Sequence, residues 1–340
     1  MDQQAIVAGA RQAVVHCAGV QAGEWVVVIT DRQAEHLADA IIDQSRQVGA
    51  SCDKFVMEDL GPRPQDGSSP LVFPKAIEQA YDRAQVSFFI ARGMAGELQS
   101  FRMPMCRAVE SRKIRHAHMI GFTEQMMAQG MASDYEQIRQ LSRRVYDIVG
   151  PCEQIHVTTP GGTDLYALFD ERLEWIISDG TITADQWANL PDGEVFTSPQ
   201  TANGHVVVDG CLGDYFSEKY GVISHTPLSY ELAGGRCIRE SVECENDSLK
   251  QDFLHYTFET DENANRLGEF AIGTNTGLTE LIGNMLQDEK YPGIHLALGS
   301  PYPNKTGAQW DSKAHCDGVL RQPTITVDGQ VIMQDGTFLI

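Results

Sequence analysis

The segment SKAHCDGVL, residues 312–320, places a histidine and an aspartate one residue apart, at His315 and Asp317. If this segment is a β-strand, its alternation puts the imidazole and the carboxylate on the same face of the sheet. Two such side chains are suited to bind a divalent metal ion, but they do not complete a site. An ordinary strand that carries a histidine fits the same sequence. A metal site would therefore need further ligands from elsewhere in the chain.

Three other segments in the second half carry metal-capable side chains at the edges of strand-like runs. Each residue alone has a plain structural explanation, such as a solvent-facing glutamate, a hydrogen-bonded core histidine or a packed tyrosine. The segments are NLPDGEVFTSP (189–199) with Glu194, RLGEFAIGTNTG (266–277) with Glu269, and GIHLALGSPYP (293–303) with His295 and Tyr302.

Together these segments offer two glutamates, two histidines and one aspartate, which is a mixed nitrogen and oxygen ligand set. Zn²⁺, Mn²⁺, Co²⁺ and Fe²⁺ all accept such ligands. A hydrolytic site with two metal ions about 3.5–4 Å apart would use all five residues. The subset His295, His315 and Asp317 has instead the composition of an iron centre with two histidines and one carboxylate. The residues by themselves therefore leave two chemistries open.

The first 150 residues alternate between strand-like and helix-like patterns, which predicts an α/β domain with a mostly parallel sheet. The GxGxxG fingerprint is absent after the first strand, so no nucleotide site is predicted. His116 and His118 alternate on the last strand without a carboxylate close in sequence, and we interpret them as structural. The predicted strands are 24–30, 52–59, 85–93 and 113–122, and the predicted helices are 34–50, 76–84 and 134–150.

Strand-like runs become more frequent after GPCEQ (150–154), so we expect one domain over residues 1–150 and a second over 151–340. The second domain is predicted to be β-rich, with a mixed or antiparallel sheet, and to carry the metal site. Residues 245–267 form its most helical segment. The pair Asp328-Gly329 is a typical hairpin turn.

The composition excludes several classes of partner. The chain has 47 acidic and 26 basic residues, with a formal net charge of −21, so we expect neither nucleic acid nor an anionic membrane surface as a partner. The sequence has no 18-residue apolar run and no signal-peptide pattern at its start. Its eight cysteines are scattered without a CxxC pair, which indicates free thiols in a reducing, cytoplasmic location.

Four segments, NLPDGEVFTSP, LGEFAIGTN, IHLALGSPYP and the closing HCD, resemble in that order the signature segments of the aminopeptidase T/aminopeptidase S family of metallopeptidases. VTTPGGTDLY (157–166) is similar to a segment that precedes them in that family. The resemblance rests on specific motifs over roughly residues 150–340. The first 150 residues resemble the family only in their general α/β pattern.

The resemblance implies a metal-dependent aminopeptidase, usually a homodimer, that acts on a short peptide or another small molecule. Tyr302 would lie at or near the metals, as a ligand or as a hydrogen-bond donor to the transition state. Tyr302 and Glu194 are then the candidate catalytic residues. The implied ligands of two Zn, Co or Mn ions are Glu194, Glu269, His295, His315 and Asp317.

Two alternatives stay open. The family motif commonly has two glutamates before Val-Phe, and Gly193 replaces the first of them here. If that first carboxylate is the proton shuttle or a metal ligand, its loss argues against peptidase activity. The chain also resembles the 2,5-dihydroxypyridine 5,6-dioxygenases in length and in the run YPGIH (291–295); such an enzyme would open an aromatic ring with one Fe(II) on the two histidines and Asp317. Glu194 and Glu269 would have no evident use in that enzyme. The further alternative is a non-catalytic protein that binds a small molecule on the same fold.

Overall fold

The computed structural model describes residues 3–340 and divides into two compact units. The first unit runs up to Glu136 and includes Gly180–Asp192, and the second comprises Gln137–Asp179 and Gly193–Ile340. The predicted fold class is confirmed, because the first unit contains a parallel sheet and the second contains antiparallel sheets. The expected domain boundary after residue 150 stays a prediction.

Helices and short strands alternate along the described part of the chain. The strands are β1 Trp25–Thr30, β2 Ser51–Val56, β3 Val86–Ala91, β4 Arg115–Ile120, β5 Gln154–Thr158, β6 Asp164–Leu168, β7 Ile176–Ser178, β8 Ala188–Asn189, β9 Glu194–Thr197, β10 Thr201–Val208, β11 Leu228–Ala233, β12 Arg236–Cys237, β13 Leu267–Gly273, β14 Gly293–Gly299, β15 His315–Leu320, β16 Thr324–Val327, β17 Gln330–Gln334 and β18 Thr337–Phe338.

The helices are mostly short, and none within residues 3–340 is long and apolar enough to cross a membrane. The chain also forms π-helical turns at Gln12–Cys17 and Leu98–Arg102 and a 3₁₀ turn at Arg239–Ser241. The α-helices are α1 Gln3–Arg11, α2 Glu35–Val48, α3 Met57–Leu60, α4 Lys75–Tyr81, α5 Met103–Arg112, α6 Glu124–Ala128, α7 Tyr135–Val149, α8 Asp214–Tyr220, α9 Asp247–Glu259, α10 Met285–Asp288 and α11 Pro303–Thr306.

The first unit is built on a parallel sheet with the strand order β2-β1-β3-β4-β8. Strands β1 and β3 are buried apolar runs, as expected of strands covered on both faces. The strand predicted over 52–59 is shorter in the structure, because the chain turns into α3 at Met57. The apolar side chain of Met57 is buried, and two acidic residues occupy the first turn of α3, where they suit the helix dipole.

The second unit contains two antiparallel sheets that share one apolar core. The larger has the order β12-β11-β10-β6-β5-β16-β17-β18, and the smaller, which we call the site sheet, has the order β15-β14-β13-β9-β7. Side chains from both sheets and from α9 meet in the core, for example Val206, Phe270 and Phe253. The core therefore holds the site sheet in place through one of its faces.

Two sequence predictions for this unit can be compared directly with the structure. Asp328 and Gly329 both have positive φ, 45° and 87°, and join β16 to β17 as the predicted hairpin. The helix predicted over 245–267 is confirmed only for α9, which ends at Glu259. The chain turns there because Asp261 accepts hydrogen bonds from the backbone N–H groups of Asn263 and Lys313.

The backbones of β13 and β14 approach closely at Gly268. The pairing of the two strands is irregular between Leu267 and Glu269, and a Cβ added at Gly268 would lie 2.1 Å from the carbonyl oxygen of Gly299. Only glycine fits this contact. The bulge therefore depends on Gly268 and sets the position of the next residue, Glu269.

Replacing Gly268 with alanine is expected to move the two backbones apart and destabilise the protein by about 1–3 kcal/mol. Thermal or denaturant unfolding measures this change. Gly161→Ala is the matched control, because a Cβ there would make an ordinary contact of 3.4 Å with Asp209. Equal stability of the two variants would show that the close approach at Gly268 does not constrain the sheet.

Candidate metal centre

The strand register places the five predicted ligand residues on one face of the site sheet. Residues paired across an antiparallel sheet point to the same side. Glu269 and Asp317 both pair with Ala297, and His295 pairs with Ala271. In the same way Glu194 pairs with Gly273 and His315 with Gly299. Alanine and glycine therefore lie between the five polar side chains and leave room for them to converge.

Glu269 lies at the middle of the group and directs one carboxylate oxygen toward each histidine. Its Oε1 is 3.6 Å from Nε2 of His295, and its Oε2 is 3.3 Å from Nε2 of His315. Glu194 Oε2 lies 3.4 Å from His295 Nε2, and Asp317 Oδ1 lies 3.3 Å from His315 Nε2. The structure thus brings all five residues together, and Glu269 is common to both halves of the group.

Lys290 and Glu289, which the sequence analysis did not single out, also belong to this cluster. The ammonium of Lys290 lies 2.6 Å from Oε1 of Glu194 and 2.7 Å from Oε1 of Glu289. Lys290 is 4% exposed, and Glu289 offers a ligand atom close to those of His295 and Asp317. The charged run DEK at residues 288–290, two residues before β14, is the sequence signal for Glu289 and Lys290, and the same run also fits an exposed turn.

A buried aspartate holds the segment that carries Lys290. The carboxylate of Asp288 accepts backbone N–H groups from Ile282, Gly283 and Asn284, which fixes the turn before α10. The carbonyl of Lys290 in turn accepts the backbone N–H of Asn275, just beyond β13. These backbone contacts place the lysine side chain beside the site sheet.

The buried charges shift the pKa values of the group strongly. Burial lowers the pKa of a histidine, but the nearby carboxylates of Glu269 and Glu194 outweigh it and raise the pKa of His295 to about 9. The carboxylates of Asp317 and Glu269 likewise raise the pKa of His315 well above its ordinary value, against the effect of burial. Burial and two neighbouring carboxylates raise the pKa of Glu289 to about 8, in spite of Lys290.

The donors of this cluster fit divalent cations. Buried carboxylates are costly unless they are paired with positive charge, and four of them meet here: Glu194, Glu269, Glu289 and Asp317. The contact between His315 and Asp317 Oδ1 does not form a hydrogen bond, so this buried oxygen is available to a cation. Two triads, Glu194–Glu269–His295 and Glu269–His315–Asp317, each place three ligand atoms within 4.8 Å of one another.

Tyr302 lies beside the cluster, in contact with His315. Its hydroxyl is 3.1 Å from Nε2 of His315, and the two rings are 4.6 Å apart. Tyr302 has a φ of 51°, a left-handed conformation that non-glycine residues seldom adopt. Nδ1 of His315 donates to the carbonyl of Ser300 at 3.0 Å, which directs Nε2 toward the carboxylates.

Gly193 occupies a position where a larger residue does not fit. Its φ is 134°, and an added Cβ would lie 2.9 Å from the Cβ of Asn275 and 3.0 Å from its backbone nitrogen. A glutamate there would require the backbone to move. The glycine before Glu194 is thus a structural feature of this chain.

A second group of possible ligand atoms lies in the first unit, at Cys106, His116 and His118. His116 Nε2 is 3.3 Å from His118 Nδ1, and Arg102 donates to Nε2 of His118. Burial lowers the pKa of His116 to about 3, so both rings form a neutral hydrogen-bonded pair. The guanidinium beside them repels a cation, which agrees with their interpretation as structural residues.

Comparison with known proteins agrees with the chemistry of the cluster. The sequence profile of the thermophilic metalloprotease (M29) family matches residues 127–337, which is more than half of the chain and includes every residue of the cluster. The chain belongs to this metalloprotease family. The sequence-based resemblance to aminopeptidase T and its relatives is confirmed. No curated protein matches this family member in sequence.

Two solved structures share the fold of this metalloprotease-family chain. Wild-type AmpT from Thermus thermophilus aligns with a TM-score of 0.70 at 16% identity, and the match covers 99% of this chain and 100% of AmpT. 2,5-Dihydroxypyridine dioxygenase from Pseudomonas putida aligns with a TM-score of 0.68 at 14% identity, over 98% of this chain and 96% of the dioxygenase. Both likenesses concern the fold alone.

Replacing Lys290 with methionine is expected to destabilise the protein in the presence of a chelator. The change leaves the carboxylates of Glu194 and Glu289 without their ammonium partner, and breaking a buried ion pair costs about 3–5 kcal/mol. Thermal unfolding measures the loss, and added Zn²⁺ is expected to restore more stability to this variant than to the wild type. Divalent ions supply the positive charge that the variant lacks.

The matched control for this measurement is Lys219→Met. Lys219 pairs with Asp252 at the surface, where such a pair contributes less than about 1 kcal/mol. Similar losses in the two variants, or a loss that Zn²⁺ does not reduce, would contradict the role of Lys290 as a counter-charge in the cluster.

Proposed function

We propose that this protein is a metal-dependent aminopeptidase whose centre lies at the cluster on the site sheet. The observation that carries the proposal is Glu269, which directs one oxygen toward each of two histidines and belongs to two adjoining triads. A carboxylate in that position suits a bridge between two ions. Membership of the metalloprotease family supports hydrolysis as the reaction.

The proposed ligands divide into two sets that share Glu269. Glu194 and His295 lie on one side of it, and His315 and Asp317 lie on the other. Zn, Co or Mn ions suit these nitrogen and oxygen donors. When bound, two such ions would polarise a peptide carbonyl and lower the pKa of water toward neutral.

Residues of the chain itself carry the remaining steps of the proposed reaction. The nearby carboxylates raise the pKa of Tyr302, so its phenol stays protonated and donates a hydrogen bond where negative charge develops on the carbonyl oxygen. Glu289, whose carboxylate lies in the cluster beside His295, Asp317 and Lys290, is the proposed group that takes a proton from water and returns it to the leaving amine. The carbonyl of Ser300 holds the His315 ring in its orientation throughout.

The ring-cleaving dioxygenase and the non-catalytic binding protein are the competing possibilities. A mononuclear iron centre would need only His295, His315 and Asp317, whereas Glu269 contacts both histidines here. This contact favours the hydrolase over the dioxygenase. Homodimer formation and a cytoplasmic location stay predictions.

Replacing Glu269 with glutamine is expected to abolish aminopeptidase activity, with a loss of at least about 100-fold in kcat/KM for leucine p-nitroanilide, because the amide cannot bridge two cations. Release of p-nitroaniline measures the activity. Glu231→Gln is the control, because Glu231 lies on β11 and pairs with His205 outside the cluster. Full activity in Glu269→Gln, or oxygen uptake with a dihydroxylated aromatic, would contradict the proposal.

Replacing Tyr302 with phenylalanine is expected to lower kcat by about 10- to 1,000-fold, because one hydrogen bond to the developing oxyanion is lost. The bound metal, measured by mass spectrometry, is expected to stay at the wild-type level if Tyr302 acts as a donor. Loss of metal together with activity would show instead that Tyr302 is a ligand. Unchanged kcat would remove Tyr302 from the mechanism.

A further inference from the structure

A cavity of about 400 Å³ lies in the second unit, next to the segments that carry the proposed metal centre. Its walls include Ser198, which follows β9, Arg266, which precedes β13, and residues 307–310, which follow α11. The same three segments carry the two glutamates and the tyrosine of the centre. The cavity therefore belongs to the same framework, although none of the proposed metal ligands lines it.

Arg266 brings a positive charge into this cavity without a carboxylate partner. Its guanidinium lies 4.2 Å from the ring centroid of Trp310, and within residues 3–340 it makes no ion pair. Burial and the charge of Arg236 lower the pKa of Arg266, as expected where no anion compensates it. In a chain with 47 acidic and 26 basic residues, a half-buried arginine without an acidic partner is unusual.

Ser198 adds a buried donor to the same wall. The residue is 1% exposed, and its hydroxyl has no hydrogen-bond partner in the described part of the chain. Buried hydroxyls are normally satisfied. Asp170 also lines the cavity, but Arg172 binds its carboxylate, so the two charges cancel.

A second cation without an acidic partner lies beside Tyr302 of the proposed centre. The ammonium of Lys305, on α11, is 5.7 Å from the ring centroids of both Phe196 and Tyr302. It makes no ion pair with any of the residues that the structure describes. Lys305 thus adds a positive charge without an acidic partner beside Tyr302, on the segment that continues into the cavity wall at residues 307–310.

We propose that this cavity binds a carboxylate of the substrate through Arg266 and Ser198. A guanidinium binds a carboxylate with two parallel hydrogen bonds, which a neutral amide cannot match. The proposal rests on the proposed aminopeptidase function and specifies its substrates as peptides whose leaving part carries a negative charge. That charge comes either from the free C-terminus of a dipeptide or from an acidic side chain at the second residue.

The first test compares kcat/KM for Leu-Gly, Leu-Gly-amide and Leu-Glu-amide with the metal-loaded enzyme. The wild type is expected to prefer a carboxylate-bearing peptide to Leu-Gly-amide by about 10- to 100-fold, the ratio that a charge-assisted hydrogen bond supports. A preference for Leu-Gly identifies the C-terminus as the ligand, and a preference for Leu-Glu-amide identifies the side chain. Equal values for all three peptides would overturn the proposal.

Variants of Arg266 test whether this cavity causes the preference for carboxylate-bearing peptides. Arg266→Met is expected to reduce the preference in kcat/KM for a carboxylate-bearing peptide over Leu-Gly-amide to about twofold. Arg266→Lys keeps the charge but not the two parallel donors, and is expected to retain part of that preference. Arg239→Met is the matched control, because Arg239 is an arginine of the same unit that pairs with Glu259 at the surface. A full preference in Arg266→Met would overturn the assignment to this cavity.

Binding measured without turnover distinguishes a failure of the carboxylate site from a failure of the proposed aminopeptidase function. Calorimetric titration of chelator-treated protein with Leu-Gly and with Leu-Gly-amide is expected to show the same selectivity, and Ser198→Ala is expected to reduce it severalfold. Selective binding without hydrolysis of any peptide would contradict the aminopeptidase and leave the carboxylate site in place. Equal binding of the two peptides would overturn the site even if both are hydrolysed.

Discussion

The burial of several carboxylates on one face of a single sheet is the constraint on which the rest of this structure depends. Glu194, Glu269 and Asp317 are each at most 6% exposed, and such groups are stable inside a protein only beside compensating charge. Two histidines and Lys290 provide part of that charge. The elevated pKa of His295, about 9, shows how strongly the carboxylates favour a cation at this place.

The fold makes room for this group by alternating small and polar residues across the strands. Ala271, Ala297, Gly273 and Gly299 pair with the polar residues, while the opposite face carries large apolar side chains into the shared core. One face of the site sheet thus supplies stability, and the other supplies the converging donors. The same sheet extends into the walls of the cavity at Arg266, so the proposed centre and the proposed carboxylate site are fixed by one framework.

Much of this arrangement could be predicted from the sequence. The β-branched run at 24–30 and the alternation of His315 with Asp317 have simple periodicities, so strands and a common face follow directly. Gathering the ligands from four separate strands and loops required the family motifs, since periodicity does not show which strands pair.

Other features could not be foreseen. Lys290 lies in a charged turn, where a solvent-facing side chain is the usual expectation, and only the packing of that turn buries it. The role of Gly193 likewise depends on its contact with Asn275, which lies far along the chain. The unpaired charge of Arg266 is a property of the whole molecule, because it depends on no carboxylate of the described residues forming an ion pair with it.

The measurement that tests the central claim most directly is the metal content of protein purified anaerobically, without added metal and without a metal-binding tag. Mass spectrometry of the wild type is predicted to find about two equivalents of zinc, manganese or cobalt per chain, the stoichiometry of a site with a bridging carboxylate. About one equivalent of iron would contradict the dinuclear hydrolase and favour the two-histidine, one-aspartate centre. Protein that binds no divalent metal, even when metal is supplied, would contradict a metal centre at this cluster altogether.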